Sequence, residues 1–239
     1  MFEVLVFAAL PAFGIIIGSI LAESIRTPKW LIGASLHTTA GVVIALVSIS
    51  IMPRLIGVMP IWLISVAFLA GAGISVLIAS IWGAFRYRSR TGNISAWMVC
   101  MAVATDLVSD GLMVGAGTAV GVQLGCLFAA TQSIANIPGG FAATANLRDD
   151  EVPKARRMAL SFSMLVPALL SAALGYYGLR GASSLVHGAV LSVFVGILLL
   201  ATIEDVIPQG DEPNPPRWVS TTAFALGFVG FLLLSNLLG

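Results

Sequence analysis

The sequence predicts an all-α, polytopic membrane protein of eight transmembrane helices, and three observations carry that reading. The chain of 239 residues is 58% hydrophobic and 10% charged, with a mean hydropathy of +1.01; ordinary globular domains carry about 25% charged residues. Apolar runs recur along the whole length, each near the roughly 20 residues needed to cross a ~30 Å hydrocarbon core. Nearly all basic residues fall in the short connections between the runs. Lipid offers no partner for an open backbone, so the runs must be helices. The spans are expected at 2–24, 31–52, 58–83, 95–119, 121–145, 157–180, 185–208 and 217–238, a single transmembrane domain over 1–239.

Each span has its own mark. The first carries Glu3 in place of a basic leader and continues apolar to about Ala22, so it reads as a span, not a cleaved signal peptide. The second opens on His37-Thr38-Thr39-Ala40-Gly41 and stops at Ile51-Met52-Pro53-Arg54. The third ends at the basic connection Arg86-Tyr87-Arg88-Ser89-Arg90. The fourth holds Thr105-Asp106-Leu107-Val108-Ser109-Asp110-Gly111 and nearly abuts the fifth around Gly117–Gly121. The fifth contains Gln132-Ser133-Ile134-Ala135-Asn136-Ile137-Pro138-Gly139-Gly140, where Pro138 is expected to kink the helix and free the Ile134 carbonyl. Before the sixth, Asp149-Asp150-Glu151 precedes Pro153 and suits a solvated, dipole-capping loop. The seventh ends Ile203-Glu204-Asp205-Val206-Ile207-Pro208-Gln209, Pro208 freeing the Glu204 carbonyl. The eighth runs apolar almost to the C-terminus.

Charge sets the orientation. The connections after spans one, three, five and seven hold ten basic residues, namely Arg26, Lys29, Arg86, Arg88, Arg90, Arg148, Lys154, Arg156, Arg157 and Arg217; the opposite connections hold two, Arg54 and Arg180. The positive-inside rule puts the ten in the cytoplasm and both termini outside, in a cell or inner membrane. A net charge of +1 gives no sign of a nucleic-acid partner. Cys100 and Cys126 match no disulfide or zinc spacing and read as small buried hydrophobes. The ends of spans two and seven, Val42 to Pro53 and Val195 to Pro208, resemble each other while running in opposite directions, which fits an inverted repeat of three, two and three spans.

The carboxylates carry the chemistry. Asp106 and Asp110, spaced i, i+4, project from one helix face about one 5.4 Å turn apart. A charged group at the bilayer centre costs about 2.5–3.5 kcal/mol on insertion scales, and two side by side repel. No Lys or Arg lies in the middle of any expected span to neutralise them, or Glu204 and Asp205. A proton or a mobile cation must do so. The plainer alternatives are protonated acids acting as interhelical hydrogen-bond glue for the first pair and simple hydration for the second. Asn136 and Gln132, one turn apart, join as pathway or packing groups, and Ser109 and His37 as pathway candidates. Glu3 and Glu23 lie at opposite ends of span one as candidate mouths.

At these residues the chain resembles the ZIP (Zrt/Irt-like) family of divalent metal transporters. The family's fourth-helix pattern His-Asn-x-Pro-Glu-Gly aligns with Asp106-Leu107-Val108-Ser109-Asp110-Gly111. Its fifth-helix pattern, His or Gln then Asn or Asp, x-Pro-Glu-Gly, aligns with Ala135-Asn136-Ile137-Pro138-Gly139-Gly140. Its seventh-helix Asp-Glu-Leu-Ile-Pro-Glu aligns with Glu204-Asp205-Val206-Ile207-Pro208-Gln209, and its second-helix His-x-x-Ala-Gly with His37-Thr38-Thr39-Ala40-Gly41. There are departures. The fourth-helix histidine is Asp106, its neighbouring asparagine is Leu107, and the glutamate that can bridge two metals is Gly139; the histidine-rich loop after helix three is a short basic connection.

What remains is an oxygen-dominated metal site of Asp106, Asp110, Asn136 and Asp205, with Glu204 adjacent. The resemblance implies zinc, iron or manganese as substrate, whereas all-oxygen ligation favours magnesium or manganese. The expected function is divalent-ion transport by alternating access, not enzyme catalysis, with the ion and the bilayer as partners and room for a homodimer. Two alternatives stand: a non-transporting relative with a degenerate metal site, and an intramembrane aspartate-dependent hydrolase. The second lacks a facing pair of acids, a serine elbow or an H-E-x-x-H sequence.

Overall fold

A computed structural model of the chain describes residues 2–24, 28–88, 95–212 and 214–238, and no strand occurs among them. Arg26 and Arg90 of the basic connections lie outside the described residues, as do the side chains of Lys29, Arg86, Arg88 and Cys100. The helices are α1 (Phe2–Ser24), α2 (Lys29–Ala45), α3 (Met52–Val58), α4 (Ile61–Arg88), α5 (Ser95–Val120), α6 (Val122–Asp149), α7 (Lys154–Ser163), α8 (Leu165–Leu179), α9 (Ser184–Ala201), α10 (Ile207–Asp211) and α11 (Arg217–Leu238). Among the described residues six stretches are long and apolar enough to cross a membrane: α1, α2 through α3, α4, α7 through α8, α9 through α10, and α11. α5 and α6 occupy the fourth and fifth expected spans with 26 and 28 residues. They fall outside that group of six, and they carry the polar runs around Asp106 and Gln132.

Spans two and seven run a few residues past the bounds expected for them, 52 and 208. Pro53 and Pro208 each sit in the first turn of a continuing helix, and each is preceded by a π-helical segment, Leu46–Ile51 and Thr202–Val206. A π turn carries the extra residue that lets a proline ring clear the preceding carbonyl without ending the helix. The helices therefore run on to Val58 and Asp211. α6, by contrast, stays α-helical through Pro138.

Packing sorts the helices into two groups. α1 lies on α6, α5 on α8 and on α6; separately, α2 lies on α11 and α4 on α9, with α10 against α2. Fewer contacts join the groups, chiefly α2 with α6 and α5 with α9. Each of the closest pairs meets backbone to backbone at glycines on both partners. A Cβ on Gly14 would lie 2.1 Å from the Ser133 carbonyl oxygen and one on Gly140 2.2 Å from that of Ile15. Gly115 and Gly175 do the same between α5 and α8, Gly41 and Gly227 between α2 and α11, and Gly71 and Gly196 between α4 and α9. Small residues let helices in lipid gain the dispersion contact that water would otherwise drive.

Apolar filling joins the groups from mid-span toward one end. Val4 of α1, Leu46 and Leu55 of the second span, Phe128 of α6, Val195 of α9 and Phe231 of α11 belong to one buried cluster. Val4, Leu55, Phe128 and Phe231 lie toward the ends of their spans that are remote from the arginine-rich connections, and Leu46 and Val195 lie near mid-span.

Gly140→Val should therefore lower stability by about 1–3 kcal/mol through overpacking, read as a melting temperature reduced by about 2–4 °C per kcal/mol. Gly73→Ala, where a new Cβ meets nothing within 4 Å, should stay within about 0.5 kcal/mol of wild type. Equal shifts would deny the crossing its role.

Candidate functional site

Asp110 is the anchored acid. It is 8% exposed, and its Oδ2 accepts a 2.7 Å hydrogen bond from the Asn136 amide. The same amide points at the Pro11 carbonyl, 3.4 Å away. One side chain thus ties α6 to α5 and approaches α1, and the Gly14 and Gly140 crossing one turn along holds it there. Asn136 is half-buried, and its hydrogen bonds turn its amide toward α5 and α1.

Asp106, one turn from Asp110, is exposed. Its helix is covered by α1, α6 and α8, and the charge of Asp205 acts on it. Its open side therefore looks toward the π-helical segment of the seventh span. There Thr202 is buried while Ile203, Glu204 and Asp205 are exposed in succession. A π turn shifts the helical phase by part of a turn, which accounts for three neighbours facing outward together. Asp106 and Asp110 also act on each other. Neither has a basic partner among the described residues.

The arrangement brings Asp106, Asp110 and Asn136 together, with Asp205 in electrostatic range from the other group of helices. Among the described residues, however, no three His, Cys, Asp or Glu side chains form a ready metal cluster. A cation here would be held by carboxylate and amide oxygens, with shell positions left for water, as hard divalent ions accept.

The remaining candidates fall elsewhere. Gln132 is 4% exposed, one turn before Asn136; its Oε1 has no hydrogen-bond partner among the described residues, and its amide nitrogen lies 3.9 Å from the Met113 sulfur. Ser109 is half-buried beside the acids in sequence. His37 is buried, with Nδ1 2.9 Å from the Gly33 carbonyl oxygen and Nε2 3.2 Å from Asp211 Oδ1. It joins the middle of α2 to the end of α10 through Asp211. Glu3 is exposed at the start of α1, and Cys126 is a free, half-buried thiol.

Glu23 is no open mouth. Its carboxylate accepts from Arg157 Nε and Nη2, both at 2.6 Å, with each side chain 9% exposed. Arg157 also donates to the Val152 carbonyl, and Arg148 donates to that of Ala22 at 2.6 Å. In the sequence Arg157 stands only as one of the loop charges before span six. The available signal was Glu23 itself, the acid nearest that basic end of span one.

Arg157→Ala should destabilise the chain by about 2 kcal/mol, below the range for a deeply buried pair because this one sits at the helix ends near water. Adding Glu23→Ala should recover part of the loss by removing the unpaired carboxylate. A double variant no more stable than Arg157→Ala would count against the pair. The sequence matches no family model, and comparison with curated proteins finds no match.

Proposed function

We propose that the chain is a ZIP-like transporter of divalent metal ions with eight spans, both termini outside the cytoplasm and an inverted repeat of three, two and three helices. The single observation that carries this reading is the Asp110–Asn136 hydrogen bond beside Asp106, in electrostatic range of Asp205 and with no basic partner for Asp106 or Asp110 among the described residues. In lipid such a group is stable only if protons or a transferable cation neutralise it. The helix pairing supports the repeat. Exchanging span one for six, two for seven, three for eight and four for five turns the α1–α6 pair into α8–α5 and the α2–α11 pair into α9–α4. The two π segments before Pro53 and Pro208 exchange likewise.

Alternating access follows from the asymmetry of the two ends. The apolar cluster packs the two groups together from mid-span toward the end remote from the arginines, while Asp106, Glu204 and Asp205 remain exposed. In this reading the ion, zinc, iron or manganese with magnesium as the hard-ion alternative, leaves toward the cytoplasm past Glu204, and His37 lies near the exit. Protons exchange with metal because ligands must deprotonate to bind. The setting is an inner or cell membrane, with a homodimer allowed.

A second reading, a non-transporting relative, draws on Gly139 in place of a bridging glutamate and on the lack of a ready acid cluster. Proteoliposome uptake across zinc, iron(II), manganese and magnesium separates the two. Asp106→Asn and Asp110→Asn should each reduce the initial rate about tenfold or more, the lower bound for disturbing a metal site, with Asn136→Ala closer to wild type. Equal flux in wild type and both aspartate variants would end the site assignment. Indifference of both flux and thermal stability to every ion would favour the non-transporting relative.

A further inference from the structure

At the end remote from the arginine-rich connections, a crevice of about 300 Å³ opens between the two groups of helices. One wall is the π-helical turn of the second span with α3, contributing Ile49, Ser50 and Arg54; the other is the start of α6, contributing Gln123 and Leu127; Ser235 of α11 closes a side. The volume lies at the lower bound of small-ligand pockets, about 300 Å³. Its polar groups are unequal in kind. Arg54 is exposed and has no ion pair among the described residues. The Gln123 amide and the Ser50 hydroxyl have no hydrogen bond among the described residues, while the Ser235 hydroxyl donates to the Leu232 carbonyl at 2.9 Å. No carboxylate lines the space.

A guanidinium with neutral donors, no acid and an apolar floor of Ile49 and Leu127 is complementary to an oxyanion carried next to apolar matter. The five N–H groups of arginine match a phosphate or carboxylate in a fork. A tetrahedral phosphate offers oxygens to three walls at once, which a planar carboxylate does not. The site also lies at span ends, the depth at which lipid phosphates sit. We propose that this crevice binds a phosphate-type anion, held by Arg54 with Gln123 and Ser50, and that the bound anion bridges the two groups of helices. The site is independent of the transport reading, and binding is read without metal.

The full chain, purified in an uncharged sugar detergent, is titrated with short-chain phosphatidylglycerol, with diacylglycerol of the same chain length and with inorganic phosphate. Wild type should bind phosphatidylglycerol at least about tenfold tighter than diacylglycerol, as expected for charge-assisted hydrogen bonds. Arg54→Gln should erase that preference and Arg54→Lys retain most of it; because Arg54 is exposed, the unliganded melting temperature should not change. Competition by inorganic phosphate makes a free anion sufficient, and its failure to compete makes the acyl-borne headgroup the ligand. Equal affinity for phosphatidylglycerol and diacylglycerol in wild type, or an unchanged preference in Arg54→Gln, overturns the site.

Discussion

Where Gly14 meets the Ser133 carbonyl and Gly140 meets that of Ile15, the backbones of α1 and α6 touch with no side chain between them. Such contacts recur in the pairs α5–α8, α2–α11 and α4–α9. Between helices in lipid, attraction comes from packing and hydrogen bonds, not from excluded water. Close crossings are therefore the places where helix positions are most strongly fixed. They also fix rotation, because a glycine must face its partner for the approach to exist. Once Gly140 faces α1, Asn136, one turn earlier on α6, is held toward α5 and α1. Its hydrogen bond to Asp110 follows from that rotation.

The π-helical turns solve a complementary problem. A proline inside a span would leave a carbonyl unsatisfied and strike the preceding turn. At Pro53 and Pro208 an added residue absorbs the ring, and the helix continues. The same added residue turns Glu204 and Asp205 to the surface of the seventh span and Ile49 and Ser50 to the wall of a crevice on the second. Two corresponding backbone distortions thus carry opposite chemistry. One presents acids near the arginine-rich end, and the other lies beside an arginine at the far end.

Much of this was legible in the residues. Apolar run length located the helices, and Asp106 and Asp110 identified themselves as acids without a basic neighbour in any span. Other features could not be read from local pattern. The π segments before Pro53 and Pro208 were not legible, because π insertion is a backbone option that leaves no residue-type signature. Glu23 and Arg157 are 134 positions apart, and only the α1–α7 contact brings them together. Asp205 reached the site assignment through the resemblance of its motif, since periodicity cannot say which helices face each other. The glycines were visible one by one, but their pairing is a property of the crossings.

The division of contacts also limits how the molecule can move. Within each group, the glycine crossings bring the backbones so close that a Cβ added at the crossing would lie about 2 Å from a carbonyl oxygen. Across the groups, contacts are fewer and largely apolar side chains such as Leu46, Phe128 and Val195, which can part and repack without leaving a polar group unsatisfied. Any exchange of access between the two ends must therefore displace one group against the other as near-rigid units, in the manner of packed elements that switch between discrete arrangements. Asp106 and Asp205 sit on opposite sides of that boundary, so their separation must change in any such motion. A cation shared between them would favour the arrangement that brings them nearest, because a ligand shifts an equilibrium only through its differential affinity for the two states.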